Sequence, residues 1–378
     1  MKVAAPGSAR HGIRAAVCRA LALILLLSAP PVSVSLAGGL VKGADVSFLQ
    51  QIEDAGGTYK EDGEPRDALV ILREHGFDHI RLRLWVHPSD GYCDLARTLE
   101  MAARARGLGF GLLVDFHYSD TWADPGRQTK PAAWSAATGE ALRDSVRNYT
   151  RRVIGALVSQ GTPPDMVQIG NEITCGMLWD DGRVCGKYDT PAQWDEFAGL
   201  VEAGVRGVRD AAHDSVGVRV VVHIDRGGDN AACRRFYDNL LARGVEFDII
   251  GLSFYPWWHG TLEDLKANLD DLSTRYGKDI VVVETAYPWT LRWDDETHNI
   301  VGLPGQLLPG YPATVEGQQA FLADLIGTVA EVPGGRGLGV FYWEPDWISA
   351  PRFGSAWENL ALFDFSGEVL TSIHAFEE

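Results

Sequence analysis

The sequence predicts a single-domain (β/α)8 barrel, on three observations. Short apolar, β-branched runs alternate strictly with longer helical patterns over the last ~340 residues. The runs are apolar at almost every position, as strands covered on both faces require. Each run closes on polar or aromatic residues at its C-terminal end. Strict β-then-α alternation at this length indicates a closed barrel, which also removes the two-domain expectation that size alone gives. An open doubly wound sheet is the alternative. It carries a Gly-rich phosphate loop after its first strand, whereas here "LQQIEDAGG" follows. No solenoid repeat, Pro/Ser-rich linker or low-complexity tract interrupts the pattern.

The elements follow in order. Lys2, Arg10, Arg14 and Arg19 form a basic start without acid, and Leu21 to Leu27 an apolar centre too short for a stable anchor. Ser35 and Ala37 supply a small-x-small end, so residues 1–37 read as a secretory signal and residues 38–378 as the barrel. Cys18 precedes the apolar run, which argues against a lipoprotein, and the absence of a twin arginine favours the general secretory route. Strand one is "LVKGADVSF". Strand two, "HIRLRLWV" (His79–Val86), follows the helical "RDALVILREHG", which Gly76 stops. Strand three (Phe110–Tyr118) follows "LARTLEMAARARGLG", and strand four, "MVQIGNE", follows a helix from Gly139 to Gln160. Strand five (Val218–Asp225) follows "WDEFAGLVEAGVRGVRDAAH", and strand six (Phe247–Pro256) follows "CRRFYDNLLARG". Strand seven (Asp279–Pro288) and strand eight (Leu338–Pro345) follow "LEDLKANLDDLSTRYG" and "EGQQAFLADLIGTVAEV", and a helical tail closes the chain.

The formal charge is −17, and more negative still without the basic leader. That argues against nucleic acid and anionic membrane surfaces as partners and suits a soluble secreted protein acting on a neutral or cationic ligand; a monomer is the default for an enzyme that meets a polymer. The chain holds 12 Trp and 11 Tyr, many near strand ends, where aromatic faces suit the CH faces of sugars; for any one Trp, core packing is the plainer explanation. Cys93, Cys175, Cys185 and Cys233 remain after the leader. Secretion permits disulfides, and Cys175 and Cys185 flank one short loop, so a local bridge is expected there. Cys93 and Cys233 are left as a second pair or two free thiols. No CxxC or clustered His supports zinc.

The strand ends read Asp45, Arg83 and Trp85, His117, Asn171 and Glu172, His223 and Asp225, Tyr255, Glu284, and Trp343 and Glu344. One such residue is a solvated rim group; eight strands with the same pattern mark the site-forming face of a barrel. Glu172 and Glu284, on strands four and seven, can face each other across the mouth. Glycoside hydrolysis needs two such carboxyl groups, one protonated and one ionised. A gap of about 5–5.5 Å gives retention of configuration and about 6.5–9.5 Å inversion. Arg83 and Tyr255 are placed to reach Glu284 and lower its pKa, as suits a nucleophile. Glu172 has less cationic help and a carboxylate neighbour, which raises its pKa and suits the acid/base. Structural ion pairs are the competing account, but buried charges are costly without a purpose.

The residues also carry a resemblance. "GNE" on strand four, Glu on strand seven, and Arg, Tyr and Trp on strands two, six and eight look like the clan A retaining glycosidases. "GADVSFL", "RLRLWVHP", "VDFHYSDTWADPGRQTKPAAW", "VQIGNEI", "GLSFYPWWHGTLEDL", "VVVETAYPW" and "FYWEPDWI" together resemble glycoside hydrolase family 53, from about Gly43 to Phe376. "GNE" alone is weak; "DFHYSDTWADP" with "YWEPDWI" is specific. The resemblance implies arabinogalactan endo-β-1,4-galactanase activity on the galactan side chains of pectin, with Glu172 as acid/base and Glu284 as nucleophile. It implies substrate contacts from Asp45, Arg83, His117, Trp122, Asn171, Tyr255, Trp343 and Trp347, and no cofactor for the chemistry.

Bacterial members of that family bind calcium in an acidic loop after strand seven. Here the loop is "TLRWDDETHNIVG", Thr290 to Gly302, where Asp294, Asp295, Glu296, His298 and Asn299 offer donors. The ligand set implied is Asp294, Glu296, His298 and Asn299, against a plain solvated loop. "WDDGRVC" is a weaker candidate, since Cys185 points to a bridge. Two other functions stay open: a clan A β-1,4-glucanase or mannanase, and a non-catalytic sugar-binding barrel, against which the paired Glu residues argue.

Overall fold

The computed structural model describes residues 39–212 and 217–377. The expected signal, residues 1–37, lies outside the described residues. Eight parallel strands close on themselves: β1 (Val41–Asp45), β2 (His79–Leu84), β3 (Gly111–Phe116), β4 (Met166–Ile169), β5 (Arg219–Ile224), β6 (Ile249–Ser253), β7 (Asp279–Thr285) and β8 (Gly337–Trp343). Each pairs with its neighbours in sequence, and β8 returns to β1 with Asp45 opposite Trp343. The barrel read from the sequence is therefore the fold.

Helices α1 (Ala68–Glu74), α2 (Leu95–Gly107), α3 (Gly139–Gln160), α4 (Pro191–Ala212), α5 (Asn230–Leu241), α6 (Leu262–Tyr276) and α7 (Val315–Ala330) connect successive strands. Their starts are set by side chains that satisfy open backbone N–H groups. Asp67, Asp94 and Asp229 do this for α1, α2 and α5, and Thr261 with Asp264 forms a reciprocal capping box on α6. The expected helical tail is a 3-10 segment, Thr371–Phe376. It packs under the N-terminal end of the barrel, where Phe376 stacks on Phe77 at 4.2 Å and its carbonyl accepts from Lys42 Nζ at 2.8 Å.

Alternation inside the barrel builds two layers. Val41, Leu113, Met166, Val221, Ile249, Val281, Val283 and Phe341 fill the lower one. Gly43 is needed there, because a Cβ would lie 2.1 Å from the Phe341 ring. One step further along each strand the inward positions turn polar: Asp45, Arg81, Asp115, Gln168, His223 and Ser253, all buried. By the same parity Glu284 would point outward, next to inward Val283. A bulge prevents this: Leu252 pairs with Val282 but Ser253 pairs with Glu284, so β7 gains a residue and turns Glu284 to the mouth.

Candidate active site

Glu172 follows β4 directly, with a left-handed backbone (φ 45°, ψ 49°) that swings its side chain over the barrel. Ser253 Oγ lies 2.7 Å from Glu172 Oε1 and 3.5 Å from Glu284 Oε2. Both carboxyl groups thus meet at one hydroxyl. Beyond it, His223 Nε2 is 2.8 Å from the same oxygen. Burial, then Arg81, hold His223 well below the ordinary imidazole range, so it is neutral. Its Nδ1 faces the Glu172 and Gln168 N–H groups and Asn171 Oδ1, an oxygen that already accepts from Arg81; with Nδ1 as acceptor, the Nε2 proton goes to Ser253. Ser253 then donates to Glu172.

Arg81 is the cation of the site. Its guanidinium reaches Glu284 Oε1 (2.8 Å), Asp45 (2.6 Å), Asp115 (2.9 Å) and Asn171 Oδ1 (2.9 Å). The expectation that Arg83 reaches Glu284 is corrected here. Both arginines point inward on β2, but Arg83 is two residues, roughly 6.6 Å, nearer the mouth. At that height it pairs with Glu344 (3.1 Å) and stacks between Phe48 and Trp122. Tyr255 donates to Glu284 Oε2 at 3.2 Å, as the sequence suggested.

The expected lowering of the Glu284 pKa is also corrected. Burial outweighs Arg81 and Tyr255 and, with Asp115 and Asp45 nearby, pushes it up to about 7. Glu172 is raised further, well above the carboxylate range, by burial, then Glu284 and Asp225. The order of the pair survives: with one proton between them, Glu172 holds it and Glu284, beside Arg81, is the anion.

Two cavities meet at Glu172. One is lined by Arg81, Arg83, His117, Trp122, Asn171, Tyr255, Glu284, Trp343 and Trp357. The other is lined by Pro125, Asp225, Arg226 and His259. Asp124, Glu172 and Trp258 border both. Asp45, expected to touch substrate, is instead fully buried and lines neither cavity; Arg81, its neighbour in the same layer, covers it at 2.6 Å. Trp347 lies outside both cavities, packed on Phe48 at 4.3 Å. His117 gives its Nε2 proton to Asp115 at 3.1 Å and accepts on Nδ1 from Ala123 N, so it too is neutral, its pKa lowered by burial. The sequence reading missed Arg81, Ser253, Trp258 and Trp357. Arg81 and Ser253 were legible as polar residues at inward parity in otherwise apolar strands.

A sequence profile described as Glycosyl hydrolase family 53 matches residues 41–376. The chain belongs to this family. As a member it is a glycoside hydrolase. It is 38% identical over 361 residues to the "Probable arabinogalactan endo-beta-1,4-galactanase A" of Aspergillus terreus, covering 93% of this chain and 99% of the relative. It is 51% identical over 344 residues to an uncharacterized protein of Niallia circulans, covering 89% and 93%. The solved Ignisphaera aggregans GH53 catalytic domain matches with a TM-score of 0.83 at 40% identity, over 89% of this chain and 95% of that one.

Around the family 53 site, the loop after β4 is closed by the Cys175–Cys185 disulfide; Cys93 and Cys233 are buried, free thiols. Asp294, Glu296 and His298 do not gather into a metal-binding group among the described residues, and His298 stacks on Trp293 instead. The carboxylates that converge are Asp295 and Glu358, which flank Ser349 Oγ at 2.5 and 2.7 Å. Asn299 is buried and its Oδ1 has no partner.

Proposed function

We propose that the chain is a secreted, retaining endo-β-1,4-galactanase with Glu172 as acid/base and Glu284 as nucleophile. The observation that carries it is the convergence of both carboxyl groups on Ser253. Bonds of 2.7 and 3.5 Å to one atom leave the two acceptor oxygens at most about 6.2 Å apart, under the inverting range. In the first step Glu284 attacks the anomeric carbon while Glu172 gives its proton to the leaving glycosidic oxygen. In the second, Glu172 takes a proton from water, whose oxygen displaces Glu284. Asn171, held by Arg81, stands at the Glu172 side for the 2-hydroxyl. Endo cleavage is supported by the two cavities that meet at Glu172, which let a polymer run past the proton donor in both directions.

Galactan as substrate rests on the relatives' names and on "DFHYSDTWADP" with "YWEPDWI". Secretion rests on the leader pattern at residues 1–37. Reducing-sugar release from potato galactan against carboxymethylcellulose tests the substrate: activity on cellulose alone overturns it. NMR of the first-formed anomer tests retention.

Calcium at the β7 loop belongs to the same proposal, with changed donors. One Ser349 proton cannot serve both Asp295 and Glu358, and the unpartnered Asn299 Oδ1 is close in the same loop system, hydrogen-bonded through its Nδ2 to Glu358. These oxygens fit a hard cation better than Asp294, Glu296 and His298 do. Calcium would hold this loop to the segment after β8. Calcium added to chelator-stripped protein is expected to raise Tm of the parent and not of Glu358→Gln; an equal rise in both overturns this ligand set.

A further inference from the structure

The opposite end of the barrel holds a second convergence of chemical groups. His75 caps the C-terminus of α1, and His374 and Glu377 belong to the closing segment and the residue after it. His75 Nδ1 lies 2.6 Å from Glu377 Oε1, and His374 Nδ1 lies 2.8 Å from the same oxygen. The three donor atoms are all within 4.8 Å of one another. On the far side of the His75 ring, Nε2 is 2.8 Å from Glu61 Oε1, and the other Glu61 oxygen is held by Arg66.

Counting protons shows what this arrangement lacks. An ionised carboxylate oxygen has only lone pairs to offer. Glu61 takes the Nε2 proton of His75, so a neutral His75 turns a lone pair toward Glu377. His374 turns its Nδ1 to the same oxygen. Positive charge must stand among these three atoms, as two protons or as one cation. Two imidazoles and a carboxylate are a zinc-type donor set. A carboxylate on the remote N–H of an imidazole is the partner that fixes the tautomer and orientation of a metal-bound His. His374 and Glu377 are 44% and 43% exposed, which gives an entry path and room for a water as fourth ligand. Zinc bonds of about 2.0–2.1 Å require donor atoms roughly 3.3 Å apart, which these exposed side chains reach by moving less than about 1 Å.

We propose that His75, His374 and Glu377 bind a divalent transition metal of the zinc class, with Glu61 orienting His75. The ion would join the C-terminal segment to α1 and, through Glu61, to the antiparallel pair Tyr59–Glu61 and Glu64–Arg66 that precedes it, at the end of the barrel opposite the catalytic mouth.

The test uses the mature chain without a histidine tag, stripped with chelator and titrated with zinc chloride at fixed calcium. Calorimetry is expected to give one zinc per chain, and Tm to rise with saturation. Glu377→Gln and His374→Ala should each weaken zinc binding at least tenfold, and Glu61→Gln by about 10–100-fold. Galactan hydrolysis at 25 °C should not change in these variants. Should His374→Ala not fold, the near-isosteric Glu377→Gln still decides. No zinc uptake, or uptake unchanged in Glu377→Gln, overturns the proposal and leaves protons as the charge that holds this cluster.

Discussion

Ser253 is one hydroxyl placed between two carboxyl groups and a neutral imidazole, and its effect on each has a sign. Its hydrogen bond lowers the Glu172 pKa, against the larger effect of burial. Ser253→Ala should therefore raise the Glu172 pKa and move the alkaline limb of the pH–rate profile to higher pH. Arg81 lowers the Glu284 pKa, so Arg81→Met should move the acid limb up. In the parent enzyme the acid limb is expected above the ordinary Glu value of 4.5, near 7. Measured kcat/KM across pH checks all three; an unmoved alkaline limb in Ser253→Ala removes Ser253 from the acid/base. Glu172→Gln and Glu284→Gln should each reduce kcat on galactan by more than ~10²-fold. At this scale the sequence told part of the story. Glu172, Glu284 and Tyr255 were legible as strand-end residues. Arg81 was passed over for Arg83, because position along a strand says how far a residue stands from the mouth only once the tilt and stagger of the barrel are known.

The loop after β4 is built to hold Asn171 and Glu172. Cys175 and Cys185 close it, Trp179 N donates to the Gln128 carbonyl, and Gln128 Nε2 donates to the Asn171 carbonyl at 2.8 Å. A loop of this length is worth about 3 kcal/mol of denatured-state entropy when bridged. The double variant Cys175→Ser, Cys185→Ser should lose about that much in urea unfolding. Its kcat should fall more than its KM changes if the loop supports Glu172 in the proposed role of proton donor. Equal kcat in the double variant would detach the loop from catalysis. The bridge was readable from spacing and compartment. The β7 bulge was not: "DIVVVET" carries no Gly or Pro to announce it, and only pairing with β6 and β8 reveals the extra residue. For the same reason the donors of the proposed calcium site were not legible: Asp295 meets Glu358 at Ser349 across 63 residues, a distance no local pattern encodes.

The whole molecule collects acid groups where water is scarce. Burial raises the pKa of Glu172, Glu344 and Asp346 well above their ordinary values and that of Glu284 to about 7. Between the unfolded values near 4–4.5 and these folded values, the native state binds more protons than the unfolded chain. Stability therefore falls as pH rises through that window. Tm is expected to be higher at pH 5 than at pH 8, and Asp346→Asn should flatten the slope, since the Asp346 carboxylate oxygens are buried without a hydrogen-bond partner. A Tm that climbs from pH 5 to 8 would contradict the burial of these charges. The barrel itself was legible because alternation and strand-end polarity repeat over the whole chain, so single errors average out. One detail of that barrel reaches into the practice of improving such enzymes. Glu172 holds a left-handed backbone that disfavours residues other than Gly and, less strongly, Asn by roughly 1 kcal/mol or more, and it is desolvated besides. Asn or Gly at this position relieves both. A library ranked by survival at high temperature alone would drift toward those residues and deliver hardy barrels that cut nothing, so turnover has to be scored in every round.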